Sequence, residues 1–267
     1  MPKETRKPIY RQVLDDAPRP VAARGIAQPD GYVIPLHVHK RGQLLHAITG
    51  IMRVETPETA WILPPARAIW LPPGQPHQVT MRGWVEMRTL YIDPDACATL
   101  PAKPVMVEIS GLLRELILAA LDEPADYRED ERGGIVAKLI LTELGRLRER
   151  RMDVPMPHDE RALRVARALL KDASLDLDLD AWAEQAGASR RTLARLFRSE
   201  TGLSFAEWRA RLRAVDGMAR LASGLSVAEV AAAVGYASPS AFSAMIKRNL
   251  GRPPRALARG GSPAAIF

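Results

Sequence analysis

Trp182-Ala183-Glu184-Gln185-Ala186-Gly187-Ala188-Ser189, followed by Leu193, Leu196, Phe197 and Gly202, is a pattern this chain writes twice. The second copy reads Val230-Ala231-Ala232-Ala233-Val234-Gly235-Tyr236-Ala237-Ser238, followed by Phe242, Met245, Ile246 and Gly251. In both, an alanine stands four residues before the first glycine and the serine thirteen before the last. Beyond each serine, apolar residues fall at plus four, plus seven and plus eight, one stripe of a helix. A short helix bearing a small residue, a glycine to end it, a serine to cap the next helix and an apolar stripe on that helix predict a helix-turn-helix. Two copies predict two recognition helices, about 189–201 and 238–249.

Between the copies stand two capping boxes, Ser204-Phe205-Ala206-Glu207 and Ser226-Val227-Ala228-Glu229. The first opens a helix to about Ala222, roughly 27 Å long at 1.5 Å per residue. Such a rod can hold two recognition helices near one DNA turn apart, about 34 Å. Gly217 should weaken it by about 1 kcal/mol relative to alanine, and the sequence offers no reason for it. Upstream, Asp159 to Lys171 reads as a helix with Leu163, Ala166, Leu169 and Leu170 inward. Asp178 is the expected N-cap of the helix that ends at Gly187.

The outward positions of the two second helices are the candidate nucleic-acid contacts. In the first they are Ser189, Arg190, Arg191, Ala194, Arg195 and Arg198. In the second they are Ser238, Ser240, Ser243, Ala244, Lys247 and Arg248. An arginine-rich helix suits the major groove of double-stranded DNA, where guanidinium can bond guanine bidentately. Charge agrees: residues 159–267 hold 17 Lys and Arg against 11 Asp and Glu, residues 1–158 hold 21 against 20. A solvated basic face on an ordinary bundle is the alternative, and the repeated turn chemistry argues against it.

Residues 159–258 resemble the DNA-binding domain of AraC/XylS transcription regulators. The resemblance rests on Ser189, Leu193-Ala194-Arg195-Leu196-Phe197 and Gly202-Leu203-Ser204. It rests above all on Val230-Ala231, Gly235-Tyr236-Ala237-Ser238-Pro239-Ser240-Ala241-Phe242-Ser243 and Gly251-Arg252-Pro253-Pro254. It implies sequence-specific promoter binding, with RNA polymerase as a partner if the protein activates. Members of that family often carry arginine where this chain has Ala244. The first helix is therefore expected to supply most base readout through Arg191 and Arg195, and the second to grip phosphate through Lys247 and Arg248.

The N-terminal half reads differently. Residues 1–30 are expected to be irregular, with one short strand around Ile9–Val13. From Gly31 to Asp93, short apolar or alternating runs between Gly and Pro signals predict a small barrel or sandwich. Within them lie Gly31, His37-Val38-His39, Gln43, Gly50 and then Pro72-Pro73-Gly74-Gln75-Pro76-His77. Strand residues two apart share a face, so His37 and His39 can converge. With His77 from a second strand, and an oxygen from Gln43, they could chelate a divalent metal, the one cofactor the sequence suggests. The alternative is a metal-free pocket lined by hydrogen-bonded histidines. Arg67, Trp70 and Trp84 are candidate walls and anion contact of an effector pocket, or else ordinary core and surface.

These spacings resemble the cupin superfamily, G-x5-H-x-H-x3-E-x6-G followed by P-x-G-x2-H, over roughly residues 20–95. The departures are Gln43 for the usual glutamate, Ala66 for a glycine and Met81 for an asparagine. Two amphipathic helices follow. One runs Glu108–Leu121, the other Glu131–Arg150 with its cations at the end favoured by the helix dipole. They are expected to pack on the barrel, to form a homodimer interface, or both. The cupin-plus-helices half resembles the sensor domain of AraC-type regulators, which implies a small-molecule or metal effector.

The fold class is thus α+β: a cupin-like β-barrel with two helices, then an all-α domain with two helix-turn-helix motifs. The expected boundaries are 1–105 for the sensor, 106–152 for the helical segment, 153–158 for a linker, 159–258 for the DNA-binding domain and 259–267 for a tail. A single cysteine, Cys97, precludes an intramolecular disulfide. The N-terminus has no apolar signal region and no window is apolar enough to span a membrane, so a cytoplasmic protein with no membrane partner is expected. A metal-dependent cupin enzyme with an accessory DNA-binding module is the competing class. Gln43 in place of glutamate and the lack of another acid–base cluster argue against it, so no catalytic residue is expected.

Overall fold

A computed structural model of the protein describes residues 14–65, 67–149, 152–250 and 254, and only the backbone of 249 and 250. The expected strand at Ile9–Val13, the Ala66 position, Gly251-Arg252-Pro253 and the tail lie outside the described residues. The elements in order are β1 (Val21–Gln28), β2 (Val33–His37), β3 (Gly42–Glu55), β4 (Thr59–Leu63), β5 (Arg67–Leu71), β6 (His77–Ile92), β7 (Val105–Glu108), α1 (Gly111–Leu121), α2 (Arg132–Leu144), β8 (Asp153–Pro155), α3 (Glu160–Lys171), α4 (Leu179–Ala186), α5 (Arg190–Thr201), α6 (Phe205–Ala222), α7 (Val227–Ala233) and α8 (Pro239–Leu250). They fall into two units: residues up to 50 with 65–151, and residues 51–64 with 152 onward.

In the first unit β6 is the spine. Its second half pairs antiparallel with β1, from Val21 opposite Ile92 to Gln28 opposite Val85. Its first half pairs with β2, where an irregularity after Ile34 brings His37 opposite His77. The first part of β3 pairs with β5, and β5 with β7. Among the described residues no ladder closes this sheet, and β1 and β7 each have one strand neighbour. The expected barrel is therefore an open sheet. The physical reason is that helices cover its apolar face. Leu44, Trp70, Leu90 and Val107 from the strands pack with Leu113, Leu116 and Ile117 of α1 and Val136, Ile140 and Leu144 of α2.

Several boundaries differ from expectation. β1 occupies part of the supposedly irregular first thirty residues, and β7 lies beyond the Gly31–Asp93 stretch in which strands were expected. Gly50 and Gly83, two of the glycines expected to separate short runs in the Gly31–Asp93 stretch, lie inside the long strands β3 and β6. Helix α2 stops at Leu144 with Gly145 as its C-cap, so the cations from Arg146 follow the helix instead of ending it.

Among its described residues the second unit has two cores. In the first, Ile51, Ala60 and Ile62 of the β3–β4 hairpin and Val154 of β8 pack with Val165 and Leu169 of α3, Trp182 of α4 and Leu193 and Phe197 of α5. Helix α6 contributes Trp208, Leu212, Val215 and Ala219 to it. In the second core, Ala214, Met218 and Leu221 of α6 pack with Val230 and Val234 of α7 and Phe242, Met245 and Ile246 of α8. Steps of three and four residues put each α6 set on its own face of the helix. The segment 153–158, expected as a linker, holds β8, which pairs with β4.

Candidate nucleic-acid interface and candidate metal centre

Both repeated serines cap their helices. Ser189 Oγ accepts from the Thr192 amide at 3.2 Å, and Ser238 Oγ from the Ala241 amide at 3.1 Å. Both capping boxes close, with Glu207 reaching back to the Ser204 amide and Glu229 to the Ser226 amide at 2.8 Å each. Gly187 ends α4 at φ 67° and Gly235 follows α7 at φ 78°, conformations a side chain resists. The chain thus enters α5 and α8 at fixed angles.

The apolar stripes turn inward: Leu193, Leu196 and Phe197 on α5, Phe242, Met245 and Ile246 on α8 are all buried. That leaves Ser189, Arg190, Arg191, Arg195 and Arg198 exposed on the first helix, with Ala194 half-buried. On the second, Ser240, Ala244, Lys247 and Arg248 are exposed, and Ser238 and Ser243 half-buried. Arg190 pairs with Asp180 at 2.6 Å and Arg198 with Glu207 at 3.1 Å. Pairs this exposed are weak and yield readily to phosphate. Arg191 and Arg195 make no ion pair among the described residues, so they are already available to a groove.

In the first unit His37, His39 and His77 come together, with one ring nitrogen from each lying within 4.8 Å of the others. Their ring centroids are 4.2 to 5.8 Å apart. The orientation of each ring is set from behind. His37 Nδ1 lies 2.7 Å from the Pro35 carbonyl, and His77 Nδ1 3.0 Å from the Gln75 carbonyl. A carbonyl only accepts, so Nδ1 carries the proton and the lone pair is on Nε2. His39 Nδ1 lies 3.2 Å from Asp15 Oδ1, the carboxylate version of the same arrangement. Backing of this kind fixes tautomer and angle in metal-binding histidines, so the residues fit a divalent ion. Gln43 is buried at the start of β3, and its amide oxygen has no hydrogen-bond partner among the described residues.

The three pocket candidates are not brought together. Trp70 is buried in the core and its indole donates to the Pro101 carbonyl at 2.8 Å. Trp84 is 60% exposed. Arg67 is tied to Glu108 at 2.8 Å. Two further residues, Asp15 and Arg41, belong to this site without a local sequence signal that marks them. Arg41, buried, donates to the Ala17 and Arg19 carbonyls and pairs with Asp93 at 3.1 Å, which anchors the segment that carries Asp15. Asp15 lies in a stretch without periodicity, so only its neighbour Asp16 and their charge could have drawn notice.

Residues 19–140 match the AraC-like ligand binding domain family, and residues 182–260 match the helix-turn-helix domain family. The chain is 32% identical over 228 residues to the HTH-type transcriptional regulator NimR of Escherichia coli (strain K12), covering 85% of this chain and 83% of that one. Among solved structures it is similar to ToxT from Vibrio cholerae, at 10% identity and a TM-score of 0.37, over 90% of this chain and 98% of that one. It is also similar to the DNA-binding domain of AdpA in complex with a target DNA, at 33% identity and a TM-score of 0.36, over 38% of this chain and 93% of that one. The chain belongs to the AraC-type transcription regulators: a DNA-binding protein with two helix-turn-helix motifs behind an N-terminal ligand-binding domain.

Proposed function

We propose that the protein binds promoter DNA through α5 and α8 together, and that a divalent metal held by His37, His39 and His77 in the N-terminal unit controls that binding. The observation that carries the first part is the pair of capped, inward-striped helices with exposed cations on their outer faces. Arg191 and Arg195 read base edges, while Lys247 and Arg248 hold phosphate. The observation that carries the second is the backing of each imidazole Nδ1 by a carbonyl or carboxylate. A bound ion would supply positive charge and open coordination positions to an organic effector. The chain's part is to orient three imidazoles, with Gln43 as a candidate fourth donor. We read the site as regulatory and not catalytic, because it lies within the stretch that matches a ligand-binding domain of transcription regulators. The protein acts in the cytoplasm, where its DNA is, with RNA polymerase as its partner if it activates.

A homodimer belongs to this reading. Leu112 of α1 and Ile135 and Leu139 of α2 are large apolar residues left exposed on neighbouring helices, a suitable seat for a second copy.

The test is metal analysis of the full chain and of a His37→Ala/His39→Ala variant, with binding to the gene's own upstream DNA at two salt concentrations. One divalent ion per chain, lost in the variant with a parallel change in DNA affinity, is the expected result. A metal-free wild-type chain that still binds DNA would remove the metal and keep the rest. In the same assay Arg195→Ala should cost about 1–3 kcal/mol at one base position, and Lys247→Ala should lower affinity for all sequences while reducing the salt slope by about 1. If Lys247→Ala is the more sequence-selective loss, the roles assigned to the two helices are wrong.

A further inference from the structure

The two cores of the second unit share α6, and a rod gripped by two separate cores does not by itself fix the angle between them. Arg213, in the middle of α6, sits at that joint and is 6% exposed. Its Nε donates to the Ala173 carbonyl at 2.9 Å, and one terminal nitrogen to the Leu175 carbonyl at 3.1 Å and to Asp176 Oδ1 at 3.3 Å. These acceptors lie in the loop between α3 and α4, which supports the first helix-turn-helix. On its other side the guanidinium carbon stands 5.5 Å from the centroid of Tyr236, in the turn between α7 and α8. Gly235 completes the contact. A Cβ there would come within 2.7 Å of the Ser174 carbonyl oxygen and 2.8 Å of an Arg213 terminal nitrogen. The supporting loop of the first motif, the arginine and the turn of the second motif therefore touch in sequence.

We infer that Arg213 and Gly235 fix the spacing and angle between α5 and α8, so that the protein accepts two groove segments at one separation only. The guanidinium offers its donors in a rigid planar fork, and a buried charge must keep its partners. Rotation of one motif about α6 would pull the fork from the loop carbonyls or the Tyr236 ring from the cation, so the fork resists it. Arg213 is thus a positioning residue: it reaches no base, yet it decides which arrangements of bases can be read. The inference rests on the reading that α5 and α8 both enter grooves.

The experiment uses the full chain and a duplex selected by it in vitro, with the two contacted segments located by hydroxyl-radical footprinting. Two further duplexes carry one or two base pairs inserted between those segments. Each inserted pair turns the second segment by roughly 35° and moves it along the axis. The wild type should lose at least about tenfold in affinity on the spaced duplexes, the scale of a mismatched base. Arg213→Gln and Gly235→Ala should bind the original duplex less well but show a much smaller ratio between original and spaced duplexes. Arg213→Lys, which keeps the charge and loses the fork, should fall between. Thermal melts identify a variant that only unfolds, and Asp176→Asn, at an exposed acceptor, tests the same joint without touching a core. Variants that weaken all duplexes by one factor, ratio unchanged, would overturn the inference and leave the two-helix reading standing. A wild type with a single footprint, indifferent to insertions, would overturn both.

Discussion

His46 lies on β3 with its side chain buried and Nδ1 3.2 Å from the Arg67 carbonyl. Burial pushes its pKa below the ordinary 6.5; the Arg67 carbonyl opposes this, and the positive charges of Arg114 and Arg88 add to it. The unfolded chain therefore takes up a proton at a pH where the folded chain resists it. The stability linked to His46 is fully present above about pH 6.5 and declines as pH falls below it. Urea unfolding of the metal-stripped chain, followed by amide exchange in β3 and β5, should show a midpoint that drops between pH 7 and pH 5. His46→Gln should flatten that drop; an unchanged slope would assign it elsewhere. At this scale the sequence was readable where short-range spacing carries the geometry. The three histidines do converge as their spacing suggested, but His37 ends β2 and His39 stands just beyond it, so the loop after the strand and not strand alternation brings His39 round. Asp15 and Arg41 were not readable, because their meeting with His39 and the chain's early carbonyls depends on tertiary placement of a segment with no period. Trp84 misled for the converse reason: an aromatic in a β segment suggests interior, and only the burial of its particular position decides.

Gly217 shows what the element scale adds. In an isolated helix Gly217→Ala would stabilise by about 1 kcal/mol. Here a Cβ would lie 2.7 and 2.8 Å from two ring carbons of Phe242, itself fully buried on α8. Overpacking of that kind costs about 1–3 kcal/mol, so the net expectation is loss of stability, reversed in sign from helix propensity. Chemical denaturation of Gly217→Ala against wild type checks it, and Phe242→Leu in the same chain should recover part of the loss. A more stable alanine variant would mean that the ring has room to move. The helices of the repeat were legible because caps, glycine turns and apolar stripes all agree locally. The strands β1, β7 and β8 were not. Val21-Ala22-Ala23-Arg24-Gly25-Ile26-Ala27-Gln28 has no clean alternation, and β8 ends on a proline. Each is a strand because a partner ladder is present, β6, β5 and β4 respectively.

At the scale of the whole molecule, the DNA-binding unit is not one continuous stretch of chain. It takes in residues 51–64, a hairpin more than eighty residues before α3, whose Ile51, Ala60 and Ile62 are buried in the core that holds Trp208 and Phe197. No local signal in the hairpin announces this, since its alternation says only that one face is covered. Two polar contacts within the unit tie the same layers: Arg53 donates to the Leu170 carbonyl at the end of α3 at 2.8 Å, and the Trp208 indole to the Pro155 carbonyl of β8 at 2.6 Å. Ile62→Ala should therefore act on the helices, although the residue stands in a strand. Removing a buried isoleucine side chain costs about 2–5 kcal/mol, of which the cavity term depends on how far neighbours collapse. Ile62 shares its core with residues of α3 and α6, whose helical backbones limit collapse, so the upper half of that range is expected. Amide exchange in the full chain reads the outcome. Protection across α3 and α6 should fall by a factor of roughly 400 or more, which corresponds to about 3.5 kcal/mol, while β1 and β6 in the other unit keep theirs. Loss confined to β3 and β4, with α6 unaffected, would show that the hairpin is only appended to the helical core and that the helices from 159 onward stand on their own.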